Sequence, residues 1–201
     1  MQADPSPEYI SGFKKAISGY YSISESAFIL LEQFIQFRKF KKDDVLLHSG
    51  RQGNDIHFIC KGALRSYFID NAGNTWNKYI YLENDFASTR FSLILKVPTE
   101  FMLQAIEDTV TLCLPYLKTK AAVNGNDELK NLYIAYLEQK WIVDNEQREI
   151  SLLTETATER YLKLLQAHPG IEKRIPLQYI ASHLSITPTQ LSRIRKELGV
   201  I

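Results

Sequence analysis

The sequence contains few of the residues on which most catalytic and metal sites depend. Its 201 residues include two cysteines and four histidines, and no two histidines form a His-x-His pair. Two thiols cannot supply the roughly four thiolates that an iron–sulfur cluster needs. There is also no Gly-x-Ser-x-Gly element and no glycine loop of the kind that cradles phosphates. We therefore expect neither an enzyme nor a metal or cofactor site.

Two alternative functions, a metal-dependent enzyme and a haem protein, would depend on the histidines. A metal-dependent enzyme built on a small barrel would need clustered histidines and carboxylates, whereas His48 and His57 are nine residues apart. A haem could use either histidine as a ligand, but single histidines on strands more often pack in a core or face solvent. The spacing of the two residues therefore favours neither alternative.

Long apolar runs and targeting signals are also missing. No apolar run approaches the ~18 residues that a membrane-spanning helix needs. Residues 1–8 lack the basic start and the apolar core of a signal peptide. Cys60 and Cys113 are far apart in sequence and fit the free thiols of a cytoplasmic protein. We expect a cytoplasmic protein without a membrane partner.

The charge is nearly balanced overall but uneven along the chain. The formal net charge is +1, whereas residues 171–201 carry five lysines or arginines against two glutamates. The remaining residues therefore sum to −2. A basic end on a near-neutral body suits the docking of phosphates, although so small an excess is only supporting evidence.

The segment from Pro176 to Ile201 has the pattern of a helix-turn-helix. One apolar face recurs at helical spacing and consists of Leu177, Ile180, Ala181 and Leu184. Ser185 and Ile186 then interrupt the pattern. Two short helices that follow each other closely are what this motif requires.

The start of the second helix has a strong sequence signal. Thr187 can cap it, with Pro188 at the first helical position and Gln190 three residues after the cap. Gly199 follows the last turn, where helices often stop. The pattern predicts a helix with both of its ends defined.

The second helix has two different faces when residues are placed about 100° apart. Leu191, Ile194 and Leu198 fall on one side and are expected to pack inward. The opposite side holds Thr189, Ser192, Arg193 and Lys196. Such a face suits a major groove, where Arg pairs with guanine and Lys or Ser reaches phosphate. The alternative is an ordinary helical hairpin with a solvated basic face. We expect double-stranded DNA to contact Thr187, Thr189, Gln190, Ser192, Arg193 and Lys196.

The first part of the chain changes from a helical to a strand pattern. Two helical segments are predicted, over Glu8 to Ile17 and over Ser24 to Ile35. From Phe37 to about Pro115, short apolar runs alternate with turn signals. The runs are 45–48, 56–60, 63–69, 76–81, 101–106 and 110–114. This is typical of a small β-barrel or jelly roll.

Helices are predicted again after the strands. A long helix covers residues 126–153 and has an apolar stripe without clean heptads. It could pack on its own barrel or form a dimer seam. We favour the seam, with Leu129, Leu132, Tyr136 and Val143 as contacts. A capping box at Thr156 opens a further helix, which Pro169 and Gly170 end.

The whole arrangement resembles the Crp/Fnr family of bacterial transcription regulators. Residues 41–50 are similar to its first barrel strands, 56–62 to its apolar strand before a glycine, and 180–194 to its DNA-reading motif. The resemblance implies an α+β fold with N-terminal helices and a barrel or jelly roll of the cyclic-nucleotide-binding type. It divides the chain into a sensor domain (1–125), a connecting dimer helix (126–153) and a helix-turn-helix domain (154–201). Arg193 matches an arginine that the family uses at base edges.

Function follows from the motif together with the long helix. We expect a homodimer that regulates transcription by binding a near-palindromic DNA site, because a two-fold dimer presents two recognition helices about one DNA turn apart.

The sequence departs from the family in the segment that would hold a cyclic nucleotide. Ser88 and Thr89 stand where binding members have Gly-Glu, and Thr99 and Glu100 stand in place of Arg-Ser. A carboxylate near an anionic phosphate would weaken binding. Arg90 could compensate only through a different geometry, as could Lys96. We therefore expect no response to cyclic AMP, and either an unidentified small-molecule effector or none.

The second departure concerns the wing that many members carry after the recognition helix. Only three residues follow Leu198, so a full wing is not expected. The alternative function is a signalling or interaction module of the same fold that has lost DNA binding.

Overall fold

The computed structural model describes residues 7–199. It opens with two short helices, α1 (Pro7–Ser18) and α2 (Glu25–Glu32). The Ser24 hydroxyl oxygen caps α2 by accepting the Ala27 N–H at 3.2 Å. Both helices bury aromatic side chains, Phe13 from α1 and Phe28 from α2. The predicted N-terminal helices are thus present, although α2 ends three residues earlier than the sequence pattern suggested.

Eight strands follow and form two four-stranded antiparallel sheets. They are β1 (Gln36–Phe40), β2 (Val45–Leu47), β3 (Asp55–Lys61), β4 (Leu64–Ile69), β5 (Thr75–Tyr81), β6 (Phe86–Ala87), β7 (Met102–Ala105) and β8 (Thr109–Pro115). The strand orders are β1-β8-β3-β6 and β2-β7-β4-β5. A short helix, α3 (Arg90–Leu95), connects β6 to β7. The predicted α+β class with a jelly-roll barrel is confirmed.

Apolar side chains fill the space between the two sheets and also cover the outer face of the first. Ile59, Leu64 and Leu103 pack in the interior. Phe58 and Leu112, whose side chains point to the other face, pack against Phe13 and Phe28 of the N-terminal helices. This alternation along β3 is the period of two expected for a strand that is covered on both faces.

The long helix is continuous but has an irregular middle. After α4 (Tyr116–Gly125) come α5 (Asp127–Tyr136), a π-helical segment (Leu137–Ile142) and α6 (Val143–Thr154). The Asn126 side chain caps α5 by accepting the Leu129 N–H at 3.0 Å. π-helical turns are rare and occur often at functional sites.

Leu129 and Leu132 do not have the role that the sequence pattern suggested for them. Both are buried in their own chain, in the same cluster as Phe13, Phe28 and Phe58. The start of the long helix therefore packs on the barrel. These two side chains are not available to a partner subunit.

The C-terminal part consists of four short helical elements. They are α7 (Ala157–Ala167), a 3₁₀ turn (Ile171–Lys173), α8 (Leu177–His183) and α9 (Pro188–Glu197). Their core contains Tyr161, Ile175, Ile180 and Leu191, and it is continuous with Ala63, Leu82 and Ile106 of the barrel. Whether a wing follows α9 concerns residues beyond 199, which lie outside the described part. No helix within residues 7–199 is both long and apolar enough to cross a membrane.

Candidate nucleic-acid interface

The recognition helix α9 begins with the reciprocal cap that its sequence predicts. The Thr187 hydroxyl oxygen accepts the Gln190 N–H at 3.1 Å, and the Gln190 side-chain oxygen accepts the Thr187 N–H at 2.8 Å. Pro188 occupies the first helical position. The hydrogen-bonding oxygens of both side chains therefore fix the helix start.

The turn before α9 and the inward face of α9 set its angle to α8. Ser185 adopts a left-handed conformation, with φ at 59°, between the two helices. Leu191 and Ile194 are buried against Ile180 and Ala181. Leu198, which the face division also placed inward, remains 37% exposed. It caps the C-terminus of α9, where the helix has already passed beyond the core.

The outward face of α9 is open. Its four side chains are exposed, and none has a hydrogen-bond or ion-pair partner within the described residues 7–199; they are Thr189, Ser192, Arg193 and Lys196. Two cations and two hydroxyls on successive turns provide donors for both base edges and phosphates.

Arg195 differs from its neighbours on α9 because it forms an ion pair within the helix-turn-helix domain. Its Nε atom lies 2.8 Å from the Glu172 carboxylate, which also accepts the Tyr161 hydroxyl at 2.6 Å. Burial is the main cause that raises the pKa of Tyr161, to about 12, so its proton stays available to Glu172. This cation holds α9 to α7 and the 3₁₀ turn rather than facing outward.

The helix-turn-helix is docked on the second sheet of the barrel. The Arg174 guanidinium bridges the Glu83 and Glu107 carboxylates at 2.7 and 2.6 Å, and hydrogen bonds to both raise the pKa of Arg174. The Ser182 hydroxyl oxygen accepts the Asn77 N–H at 2.8 Å. These contacts use α8 and the segment before it, so docking leaves the outward face of α9 uncovered.

Aromatic stacking strengthens the same contact. The Arg65 guanidinium lies between the rings of Tyr67 and Tyr179, 3.8 and 3.9 Å from their centroids. It also donates to the Gln104 side-chain oxygen at 2.6 Å. Since Tyr179 belongs to α8, one barrel side chain connects the sheet directly to the helix before the recognition helix.

A cavity of about 140 Å³ lies beside the long helix, between the outer face of the first sheet and α1. Its wall is almost entirely apolar and includes Phe13, Phe86 and Leu132. At its rim, Arg90 donates to the Tyr136 hydroxyl at 2.7 Å and lies 5.9 Å from the Trp141 ring centroid. An apolar cavity of this size can hold a molecule about as large as benzene.

Two of the five predicted ligand-pocket residues line this apolar cavity. Ser88 and Arg90 line the apolar cavity, whereas Thr89, Thr99 and Glu100 do not. Thr99 is buried and its hydroxyl oxygen accepts the Phe101 N–H at 3.0 Å, while Glu100 is exposed.

The other candidates from the sequence are two cations, Arg90 and Lys96, and two histidines, His48 and His57. Lys96 is exposed at the end of α3 in a left-handed conformation, and Arg90 is engaged by Tyr136. His48 is exposed and His57 is buried in the barrel.

Comparison with known proteins gives a clear match in structure. No family model and no curated protein matches the sequence. FixK2 from Bradyrhizobium japonicum has a TM-score of 0.66 at 17% identity, over 83% of this chain and 85% of that one. The c-di-GMP-responsive global regulator CLP of Xanthomonas campestris has a TM-score of 0.67 at 12% identity, over 88% and 92%. A protein from Eubacterium rectale assigned to the crp/fnr family of transcriptional regulators has a TM-score of 0.66 at 17% identity, over 90% and 88%.

These solved structures confirm the fold that the sequence resemblance implies. Each match covers most of both chains. Of these neighbours, CLP is described as a global regulator and the Eubacterium rectale protein as a transcriptional regulator of the crp/fnr family.

Proposed function

We propose that this chain is a sequence-specific, DNA-binding transcription regulator of the Crp/Fnr family. The observation that carries the proposal is the open face of α9, with Arg193 at its centre. The side chains of that face are exposed and uncommitted within the described residues, while the cap and the core fix the helix that bears them. Enrichment of specific duplexes from a random DNA pool tests it.

The placement of the cations supports direct contact with the groove. Arg193 and Lys196 are three residues apart and so lie on neighbouring turns of one helical face. A guanidinium can donate two hydrogen bonds to guanine, whereas an ammonium acts as a point charge toward phosphate. We assign base reading to Arg193 and phosphate contact to Lys196.

The alternative of an interaction module without DNA binding has less support. If the helix-turn-helix were only a packing element, α9 itself would be expected to take part in docking on the barrel. Docking instead uses Arg174, Tyr179 and Ser182 and leaves Arg193 exposed. CLP and the Eubacterium rectale protein, which share the fold, are described as regulators.

A homodimer is the second part of the proposal. The long helix carries a series of exposed apolar side chains, namely Tyr133, Ile134, Trp141, Ile142, Val143, Ile150, Leu152 and Leu153. Such a concentration of exposed apolar side chains on one helix is typical of an interaction site. A second copy is the natural partner, because a two-fold pairing of long helices presents two copies of α9 to one duplex. Val143 stays in the proposed seam, whereas Tyr136 faces its own barrel.

We expect Ile142→Glu to weaken the dimer by at least about tenfold, because a charge placed in an apolar seam loses its hydration. Sedimentation equilibrium of wild type and variant measures this. Ile69→Glu is the matched control, since Ile69 is similarly exposed (54% against 51%) but lies on β4. A wild type that remains monomeric at micromolar concentrations, or equal weakening by both variants, contradicts the seam.

We expect neither cyclic AMP nor cyclic GMP to bind with micromolar affinity. Loss of a charged partner in a desolvated site costs about 2–5 kcal/mol. Thr99 and Glu100 stand where binding members have Arg-Ser, and Glu100 offers only a like charge to a phosphate. Calorimetric titration of each nucleotide into the full chain is the measurement. Micromolar binding of either one refutes this expectation and points to Arg90 or Lys96 as the substitute clamp.

A further inference from the structure

Three side chains of different chemistry meet on the inner face of the first sheet. His57 of β3 and Cys113 of β8 are direct cross-strand partners in the antiparallel register. Asp55 precedes His57 by two residues, so its side chain leaves the same face of β3. The pairing of the two strands therefore brings residues together that are far apart in sequence.

Their potential ligand atoms are close to one another. One atom from each residue, a carboxylate oxygen, an imidazole nitrogen and the thiol sulfur, all lie within 4.8 Å of one another. Cys113 is 1% exposed and His57 is 8% exposed, while Asp55 is partly exposed at the start of β3. The cluster is thus enclosed by the barrel on one side and reachable from solvent through the carboxylate.

The cluster is not fully explained by its internal hydrogen bonds. The Cys113 thiol donates to the Asp55 carboxylate. Within the described residues, the hydrogen-bond contact of His57 is a long one of 3.4 Å, between its Nδ1 atom and the Thr111 hydroxyl. Buried polar groups usually have well-formed partners, and a buried imidazole with one poor contact is an exception.

We propose that Asp55, His57 and Cys113 bind a divalent transition-metal ion of the zinc type. Carboxylate oxygen, imidazole nitrogen and thiolate sulfur are the ligand atoms that zinc takes in proteins. Carboxylate and thiolate together supply two negative charges, which balance a dication in a buried place. Three protein ligands leave one tetrahedral position for water or a small molecule, as in zinc sites that are not purely structural.

The protonation states define what binding involves. Burial lowers the pKa of His57 to about 4, so the imidazole is neutral at pH 7 and has a free lone pair. Burial raises the pKa of the Cys113 thiol to about 12, so that thiol is protonated without a metal. As the metal–sulfur bond forms, the S–H bond breaks and its proton passes to solvent.

Arg38 of β1 is the nearby charge that opposes the proposal. It lies opposite Thr111 in the β1–β8 register and acts on the Asp55, His57 and Cys113 side chains. Its side chain is exposed and donates to the Gln36 side-chain oxygen at 2.8 Å. Solvent screens such a charge, and the two anionic ligands outweigh it.

Titration of the chelator-treated full chain with Co²⁺ tests the site. A thiolate bound to Co²⁺ absorbs strongly in the near ultraviolet through charge transfer, and tetrahedral Co²⁺ absorbs in the visible. We expect both bands at one metal per chain, release of protons to the buffer, and loss of the bands when Zn²⁺ is added. Absence of the charge-transfer band in the wild type overturns the proposal.

Matched variants locate the metal. Cys113→Ser should remove the charge-transfer band, whereas Cys60→Ser should keep it, because Cys60 packs in the cluster that faces the N-terminal helices. Asp55→Asn, at a partly exposed position, should weaken Zn²⁺ binding at least tenfold and keep the band. A band that survives Cys113→Ser, or Zn²⁺ affinity unchanged in Asp55→Asn, overturns the site. These readouts do not involve DNA, so they fail independently of the proposed function.

Discussion

Arg193→Ala is expected to lower the affinity of the protein for its preferred duplex by about 5- to 150-fold. This corresponds to the ~1–3 kcal/mol that a good bidentate contact between arginine and guanine contributes to discrimination. The side chain has no partner within the described residues, so its removal should leave the fold unchanged. The base preference at one position of each half-site should also relax. Fluorescence anisotropy on duplexes that vary at that position measures both effects.

Two further variants separate base reading from general electrostatics. Lys196→Ala should weaken binding to every sequence alike and should reduce the salt dependence by about one phosphate contact. Arg51→Ala, at an exposed arginine on the barrel, should change neither. Unchanged affinity and unchanged base preference in Arg193→Ala would remove Arg193 from the interface.

The second large effect is on stability. Gly62→Ala should destabilise the fold by about 2–6 kcal/mol. Gly62 has φ at +97°, and a Cβ atom there would lie 2.7 Å from the Asp108 carbonyl oxygen and 2.8 Å from the Thr109 Cα atom. Backbone strain contributes about 1–3 kcal/mol and overpacking against backbone a similar amount. The backbone of the turn between β3 and β4 cannot easily move to relieve this contact, because the Gly62 N–H donates to the Glu83 side chain at 2.9 Å.

Gly73→Ala is the control for that substitution. Gly73 has a similar φ of +83°, but a Cβ atom there would meet nothing within 4 Å. It should therefore show the strain alone, about 1 kcal/mol. Urea unfolding of both variants measures the free energies of unfolding. If both variants lose the same free energy of unfolding, the close contact at Gly62 contributes nothing and the prediction is wrong.

The features that the sequence predicts best are those set by local interactions. The capping boxes at Thr156 and Thr187 each involve a side chain three residues away, and both are present. The apolar face of α8 and α9 follows helical spacing, so Ile180 and Leu191 are buried as expected. The apolar run 56–60 likewise predicted a strand, and β3 (Asp55–Lys61) contains it.

The features that the sequence does not predict depend on pairing between distant segments. Strand β1 mixes apolar and charged residues and is recognisable only because it pairs with β8, and β6 contains just two residues. Leu129 has the helical spacing of a seam residue, but it is buried within its own chain. The cluster of His57 with Cys113 has no signal in sequence spacing, because a strand register creates it.

The long helix connects the apolar cavity, the proposed seam and the helix-turn-helix. It covers the apolar cavity through Tyr136, carries the exposed apolar side chains of the proposed seam, and leads into α7 and the helix-turn-helix. Its π-helical segment, Leu137–Ile142, lies beside the cavity and holds Trp141 near Arg90. A change in the packing of the cavity would therefore act on the long helix at its π-helical segment.

Selection of bound fragments from a random duplex DNA pool tests the central claim most directly. The account predicts enrichment of a near-palindromic site whose half-sites are about one helical turn, or roughly 34 Å, apart. The same selection with Arg193→Ala should lose the preference at one position in each half-site. A wild-type pool that remains indistinguishable from the input sequences would contradict the assignment of this protein as a sequence-specific DNA-binding regulator.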